Sequence, residues 1–208
     1  MAKRTVTVNS SGRAAVAPDV VRLDLRVGHD ADDVAAALAG ASEGVARVGT
    51  VLRARNVANA DIRTLDVTVS QRWDSTGAPV GFTAQQRLTV TARRIESVGT
   101  ILEAAAAAVG NALLVDQVRL DVADRTDGLR QARDVAFADA RDKAEQYAAL
   151  SGARLGAVLE VAESGAVPMT AFASVAASRQ ASGGMPVETG DLDLTAGVTV
   201  TWELEAAE

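Results

Sequence analysis

Hydrophobic positions in this chain recur with two periods. Val21, Leu23, Leu25 and Val27 alternate with Arg22, Asp24 and Arg26, the period-2 signature of a strand with one dry and one wet face. The alternation returns at Leu65, Val67, Val69 and Trp73, at Leu88, Val90 and Ala92, and at Val118, Leu120 and Val122. Leu159 and Val161, then Val198, Val200, Trp202 and Leu204, continue it, and Val6 with Val8 opens the chain as a shorter member. Between two of these runs, Asp74-Ser75-Thr76-Gly77-Ala78-Pro79 is a turn cluster that predicts a long hairpin.

Three stretches switch to helical spacing. In the first, Val34, Leu38, Ala41, Val45, Val48 and Leu52 form one stripe, with Asp30 as N-cap and Asp33 adding charge near the positive helix start. Gly40 and Gly44 lie inside it, each costing about 1 kcal/mol relative to Ala. Close approach of another helix, or the drift of an Ala/Gly-rich composition, accounts for them equally. The second helix, from about Ile95 to Val109, places Val98, Leu102, Ala105 and Val109 together and stops at Gly110. The third runs from Thr126 or Asp127 to Leu150 or Ser151, with Gly152 closing it.

The order β-β-α-β-β-α-β-α-β-β, with short turns between strand pairs, predicts an α+β fold: a largely antiparallel sheet with three helices packed on one face. Residues 1–208 are read as a single domain, because no break in composition divides them. The segment 163–190, rich in Ala, Ser and Gly, has no sustained period. It is read as a mobile surface loop or as an arm that docks on a neighbouring subunit by adding a strand.

Composition narrows the function classes. With 48% apolar residues the chain can bury a core, but aromatics are only 3%, so a stacking platform for bases or sugars is not expected. Net charge is -6 with both signs interspersed, unlike the basic stripe of a nucleic-acid binder. The absence of cysteine removes disulfides, thiolate metal sites and cysteine nucleophiles. His29 is the one histidine, placed at a strand end, and Asp30-Ala31-Asp32-Asp33 lacks the spacing of a calcium loop. No phosphate-cradling glycine motif or nucleophile elbow is present, so no catalytic, cofactor-binding or metal residue is assigned. Neither a signal peptide nor a membrane span is visible, and a cytoplasmic location is expected.

The densest charge lies in the third helix, where Ala-Arg-Asp occurs twice, at Ala132 and Ala140. Positions eight apart on a helix are offset by roughly 80°, so the repeat is not a paired site. Taking Leu129 as origin, Ala132, Ala136, Ala140, Ala144, Tyr147 and Leu150 share an apolar arc. Asp134, Arg141 and Glu145 face water, with pairs expected for Arg130 and Asp134, Asp139 and Lys143, and Arg141 and Glu145. Arg133 projects into the apolar arc, where its stem snorkels to the rim, its guanidinium meets a carboxylate, or it holds a ligand anion.

Several stretches together resemble the SIMPL domain family. They are Gly12 followed by Pro18-Asp19; Gly81-Phe82-Thr83-Ala84 before Leu88-Thr89-Val90; and Ala132-Arg133, Ala140-Arg141, Lys143-Ala144-Glu145, Ala148, Gly152 and Leu155-Gly156. Gly190 leading to Val198-Thr199-Val200 and Trp202-Glu203-Leu204 completes the likeness. Ser10 stands where the family often carries a glycine, and the export signal of many relatives is not seen. The resemblance implies a non-enzymatic α+β domain that forms homo-oligomers, some ring-like or hollow, with a role in interaction, stress tolerance or signalling and no cofactor. The alternative from another class is a small-molecule or anion carrier that uses a helix-sheet cavity with Arg133 as its charged contact.

Overall fold

A computed structural model describes residues 4–164 and 189–206. The α+β class and the predicted element order are observed: β1 (Thr5–Val16), β2 (Val20–Ala31), α1 (Val34–Ala54), β3 (Ile62–Trp73), β4 (Pro79–Ala92), α2 (Val98–Val109), β5 (Leu113–Asp121), α3 (Thr126–Leu150), β6 (Ala153–Ser164) and β7 (Leu192–Ala206). The strands divide between two antiparallel sheets instead of one, in the orders β1-β7-β6 and β3-β4-β2-β5. Alternation along a strand fixes which face is dry, but it does not name the neighbouring strand.

The chain forms two compact units, one holding Pro18–Asp121 and the other holding β1, α3, β6 and β7. In sequence the first is an insertion within the second, so no composition break marks it. Most of the 163–190 segment singled out in the sequence lies outside the described residues.

The inserted unit has the β-α-β-β-α-β connectivity and strand order of the ferredoxin-like split βαβ motif. Val21, Leu23, Leu25 and Val27 of β2 are each 0% exposed. Leu88 and Val90 of β4, Val48 and Leu52 of α1, and Val98, Ile101 and Ala105 of α2 complete that core.

The cap of α1 differs from expectation. Asp33, not Asp30, accepts from the Ala36 amide at 2.9 Å, because β2 continues to Ala31 in register with Phe82 of β4. The buried line of α1 is Ala37, Ala41, Gly44, Val48, Gly49 and Leu52, while Val34 is exposed. Its glycines admit β2 most closely: a Cβ at Gly44 would stand 2.7 Å from Val27 Cγ1, with Val109 Cγ1 of α2 also in contact at 3.9 Å, and one at Gly40 would stand 2.1 Å from the ring of His29.

In the other unit, α3 lies on β1 and β7 through Gly128, Ala132, Ala136, Ala140, Ala144 and Ala148. This i, i+4 ridge of small side chains is inclined to the helix axis, and it brings the helix close to Val8, Val200 and Trp202. Tyr147 and Leu150, expected in the apolar arc, are exposed. Gly110 and Gly152 end α2 and α3 with φ of 56° and 68°, as the stops in the sequence predicted.

Candidate functional site

The wet face of the four-stranded sheet carries the richest side-chain chemistry. Its register sets Arg22 opposite Arg119 and Arg26 opposite Arg87, like-charge pairs that are unfavourable when left bare. Aspartates offset them, Asp121 and Asp24 from the diagonals and Asp66 from directly opposite Arg87. Arg22 donates to Asp121, Arg119 Nη2 lies 3.2 Å from Asp24, and Arg87 Nη1 lies 3.4 Å from Asp66. A register shift at Asp24/Leu25 leaves Asp116 as an extra residue of β5. Asp116 bridges Arg26, whose Nε donates at 3.2 Å, and Arg87, at 3.6 Å. The alternating positions of β2 and β4 on this face hold Arg, Asp, Thr, Gln and Gly, so bases would find no ring to stack on.

These contacts set the titration. The hydrogen bond from Arg26 holds the Asp116 carboxyl below the ordinary carboxylate range, and the same bond raises Arg26. Asp139 is lowered by Lys143 and then by the Ser10 hydroxyl, Asp124 by Thr126, and Asp74 by Thr76 and the Ala78 amide. Each of these four carboxyls therefore binds its proton less tightly when folded than when unfolded. Its contribution is present above the unfolded carboxylate pKa of about 4 and is lost as pH falls through the lower folded value. The melting temperature is expected to drop below about pH 4, and Asp116→Asn should flatten part of that drop; an acid limb identical in the variant would exclude the Arg26 contact as a contributor.

The opposite face ends in an uncovered edge. Val67 and Val69 of β3 pair with Gln86 and Ala84 of β4, on the side where α1 covers Ala84 through Ala37 and Ala41. They are nevertheless 48% and 38% exposed, and Trp73 at the hairpin end is 59% exposed. In the other unit β6 is likewise a sheet edge, with Val158, Leu159 and Val161 exposed.

Residues singled out in the sequence fall into structural places. Arg133 donates from Nε to Glu163 Oε1 at 2.9 Å, with both side chains at least half exposed, so a carboxylate of β6 meets it. Arg141 pairs with Glu145 at 2.8 Å and Lys143 with Asp139 at 2.6 Å, as spacing predicts, whereas Arg130 reaches Asp127 at 3.0 Å instead of Asp134. Asp30 accepts from Thr83 at 2.6 Å and faces Arg72 at 3.3 Å.

A cluster the sequence reading missed joins Ser10, Asp139 and Lys143: Ser10 donates to Asp139, and Lys143 Nζ stands 3.4 Å from Ser10 Oγ. The spacing of Asp139 and Lys143 signalled their pair, and the unusual residue at position 10 was the one signal for Ser10. Among the described residues no group of three or more His, Asp or Glu is placed to hold a metal ion. No described helix is long and apolar enough to cross a membrane.

Residues 6–202 match the model of the SIMPL family, described as a protein of unknown function (DUF541). No curated protein matches the chain.

Proposed function

The chain belongs to the SIMPL family of unknown function, and on that premise we propose that it is a non-enzymatic protein that self-assembles into a homo-oligomer through its sheet edges. The observation that carries this reading is the edge strand β3, where Leu65, Val67, Val69 and Trp73 are all exposed. Proteins ordinarily blunt such an edge with charge, proline or cover, because it offers unpaired backbone groups and apolar side chains together. A second chain can satisfy both, by strand addition and by burying the apolar row. In this reading the protein acts by interaction, in stress tolerance or signalling, as its family likeness implies, and not by turnover.

Light scattering on the full chain is expected to give a multiple of the chain mass. Val67→Lys places a charge on the exposed edge at a folding cost of about 0.5 kcal/mol or less, and should shift the population to monomer. A wild-type chain that scatters as a monomer across micromolar concentrations overturns the reading. An assembly that survives Val67→Lys but yields to Val161→Lys would move the contact to β6.

A further inference from the structure

We propose that a cleft in the inserted unit, between the C-terminal end of α1, the end of β4 and the start of α2, binds a small anion bearing a phosphate or carboxylate group. The cleft has a volume of about 40 Å³ and is lined by Arg55, Asn56, Asp61, Arg93 and Arg94, with buried Ile101 behind them. That size suits an inorganic anion or the carboxylate end of a small organic acid and is far below the range of drug-sized ligand sites.

Its charge is unbalanced in a specific way. Arg93 donates from Nε and Nη2 to the two oxygens of Asp61, both at 2.8 Å, which consumes the one carboxylate among the lining residues. Asp19 adds a further attraction to Arg93. Among the described residues, Arg55 and Arg94 have no side-chain hydrogen bond or ion pair, whereas Arg22, Arg26, Arg72, Arg87, Arg119 and Arg133 each meet a carboxylate. Two uncompensated guanidiniums thus converge on one concavity in a chain of net charge -6.

Position adds to the imbalance. Arg94 immediately precedes the short turn Ile95–Ser97 that leads into α2, and a cation at a helix N-terminus meets the positive end of the helix dipole. Glu96, in the same turn, makes no ion pair with it and does not line the cleft. An anion seated between Arg55 and Arg94 reverses that unfavourable placement. The Arg55 side is held in place by the end of α1: Asn56, with φ of 63°, donates to Arg53 O at 3.0 Å, and Val57 donates to Leu52 O at 3.1 Å. Guanidinium groups at a rim offer planar, charge-assisted recognition of oxyanions.

The test is an amide-resonance titration of the full chain with inorganic phosphate and, in a second arm, succinate, each against sodium chloride at matched ionic strength. Saturable shifts at Asn56, Arg94 and Ser97 are expected with at least one of the two, and the arm that saturates first identifies the preferred group. Arg55→Gln with Arg94→Gln should weaken the apparent Kd by roughly tenfold or more, with the far-UV circular dichroism unchanged, and Arg55→Lys with Arg94→Lys should retain part of the binding. Shifts that chloride reproduces, the absence of saturation in both arms, or undiminished binding in the double Gln variant would each overturn the proposal.

Discussion

Gly12→Ala is expected to destabilise the unit built on β1, α3, β6 and β7 by about 3 kcal/mol, toward or beyond the upper end of typical overpacking costs. Intrinsic preference argues for the opposite sign, since replacing a strand-interior glycine by alanine is ordinarily worth a gain of roughly 0.5–1 kcal/mol. Packing decides the matter. A Cβ at Gly12 would lie 2.1 Å from the Ala132 carbonyl oxygen and 2.4 Å from the Ala136 amide nitrogen. Both are backbone atoms inside α3, so no side-chain rotation relieves the clash.

The residues around Gly12 leave no slack. It pairs with Ala196 of β7, and Ala14, Ala132 and Ala196 form a buried small-residue cluster beside it. Gly28 is the internal control: it is also a strand glycine, but its added Cβ would meet only Gln85 Cγ at 3.7 Å and Ala84 O at 3.8 Å, ordinary contact distances. Thermal denaturation followed by circular dichroism should show Gly12→Ala lowering the transition by about 6–12 °C, at 2–4 °C per kcal/mol for a chain of this size, and Gly28→Ala leaving it nearly unchanged. Equal melting temperatures for the two variants would sink the claim that α3 rests on the β1 backbone.

The same contact explains what was and was not legible in the sequence. Period-2 alternation found the dry face of β2, and helical spacing with a closing glycine found α2 and α3, because both signals are local. Strand partnership is not local: β1 pairs with β7 over the register Thr5↔Glu203 to Val16↔Leu192, and nothing in either strand's alternation names the other. Helix orientation was misread wherever size was taken as the guide to burial. Val34, Tyr147 and Leu150 are large and exposed, whereas the face of α3 that meets its sheet is lined with Ala and Gly, and that of α1 carries Ala and Gly beside the correctly placed Val48 and Leu52. A helix that lies close to a sheet must present its smallest side chains there. Arg133 was recognisable as a residue needing a partner, but its partner Glu163 lies on β6, and only the way α3 is laid along that sheet brings the two together. Arg55 and Arg94 attracted no notice, since two arginines almost forty residues apart carry no spacing signal until α1 and β4 end at the same cleft.

Trp202→Ala tests the other half of that packing. A ridge of alanines leaves little side-chain volume of its own, so most of the bulk beneath α3 must come from the sheet. Trp202, only 2% exposed, supplies much of it. It is packed in one cluster with Val8, Val200, Ala140 and Ala144, is flanked by Val6 and Val158 on the neighbouring strands, and meets the Phe137 ring at 6.2 Å with a 52° tilt. Truncation should cost about 3–5 kcal/mol, the range for deleting a large buried aromatic. Trp202→Phe keeps a ring against Phe137 and is expected to lose less than half as much. Fluorescence, read on the Val67→Lys monomer so that the β3 edge stays uncovered, separates this loss of packing from a general loss of fold, because the chain has two tryptophans and Trp73 is 59% exposed in the single chain. Trp73→Phe should leave a blue-shifted emission from the buried Trp202 and an unchanged melting temperature. Trp202→Ala should leave only the red-shifted emission of a wet indole together with an earlier transition, and a stability equal to that of Trp73→Phe would show that α3 does not depend on this side chain for its support.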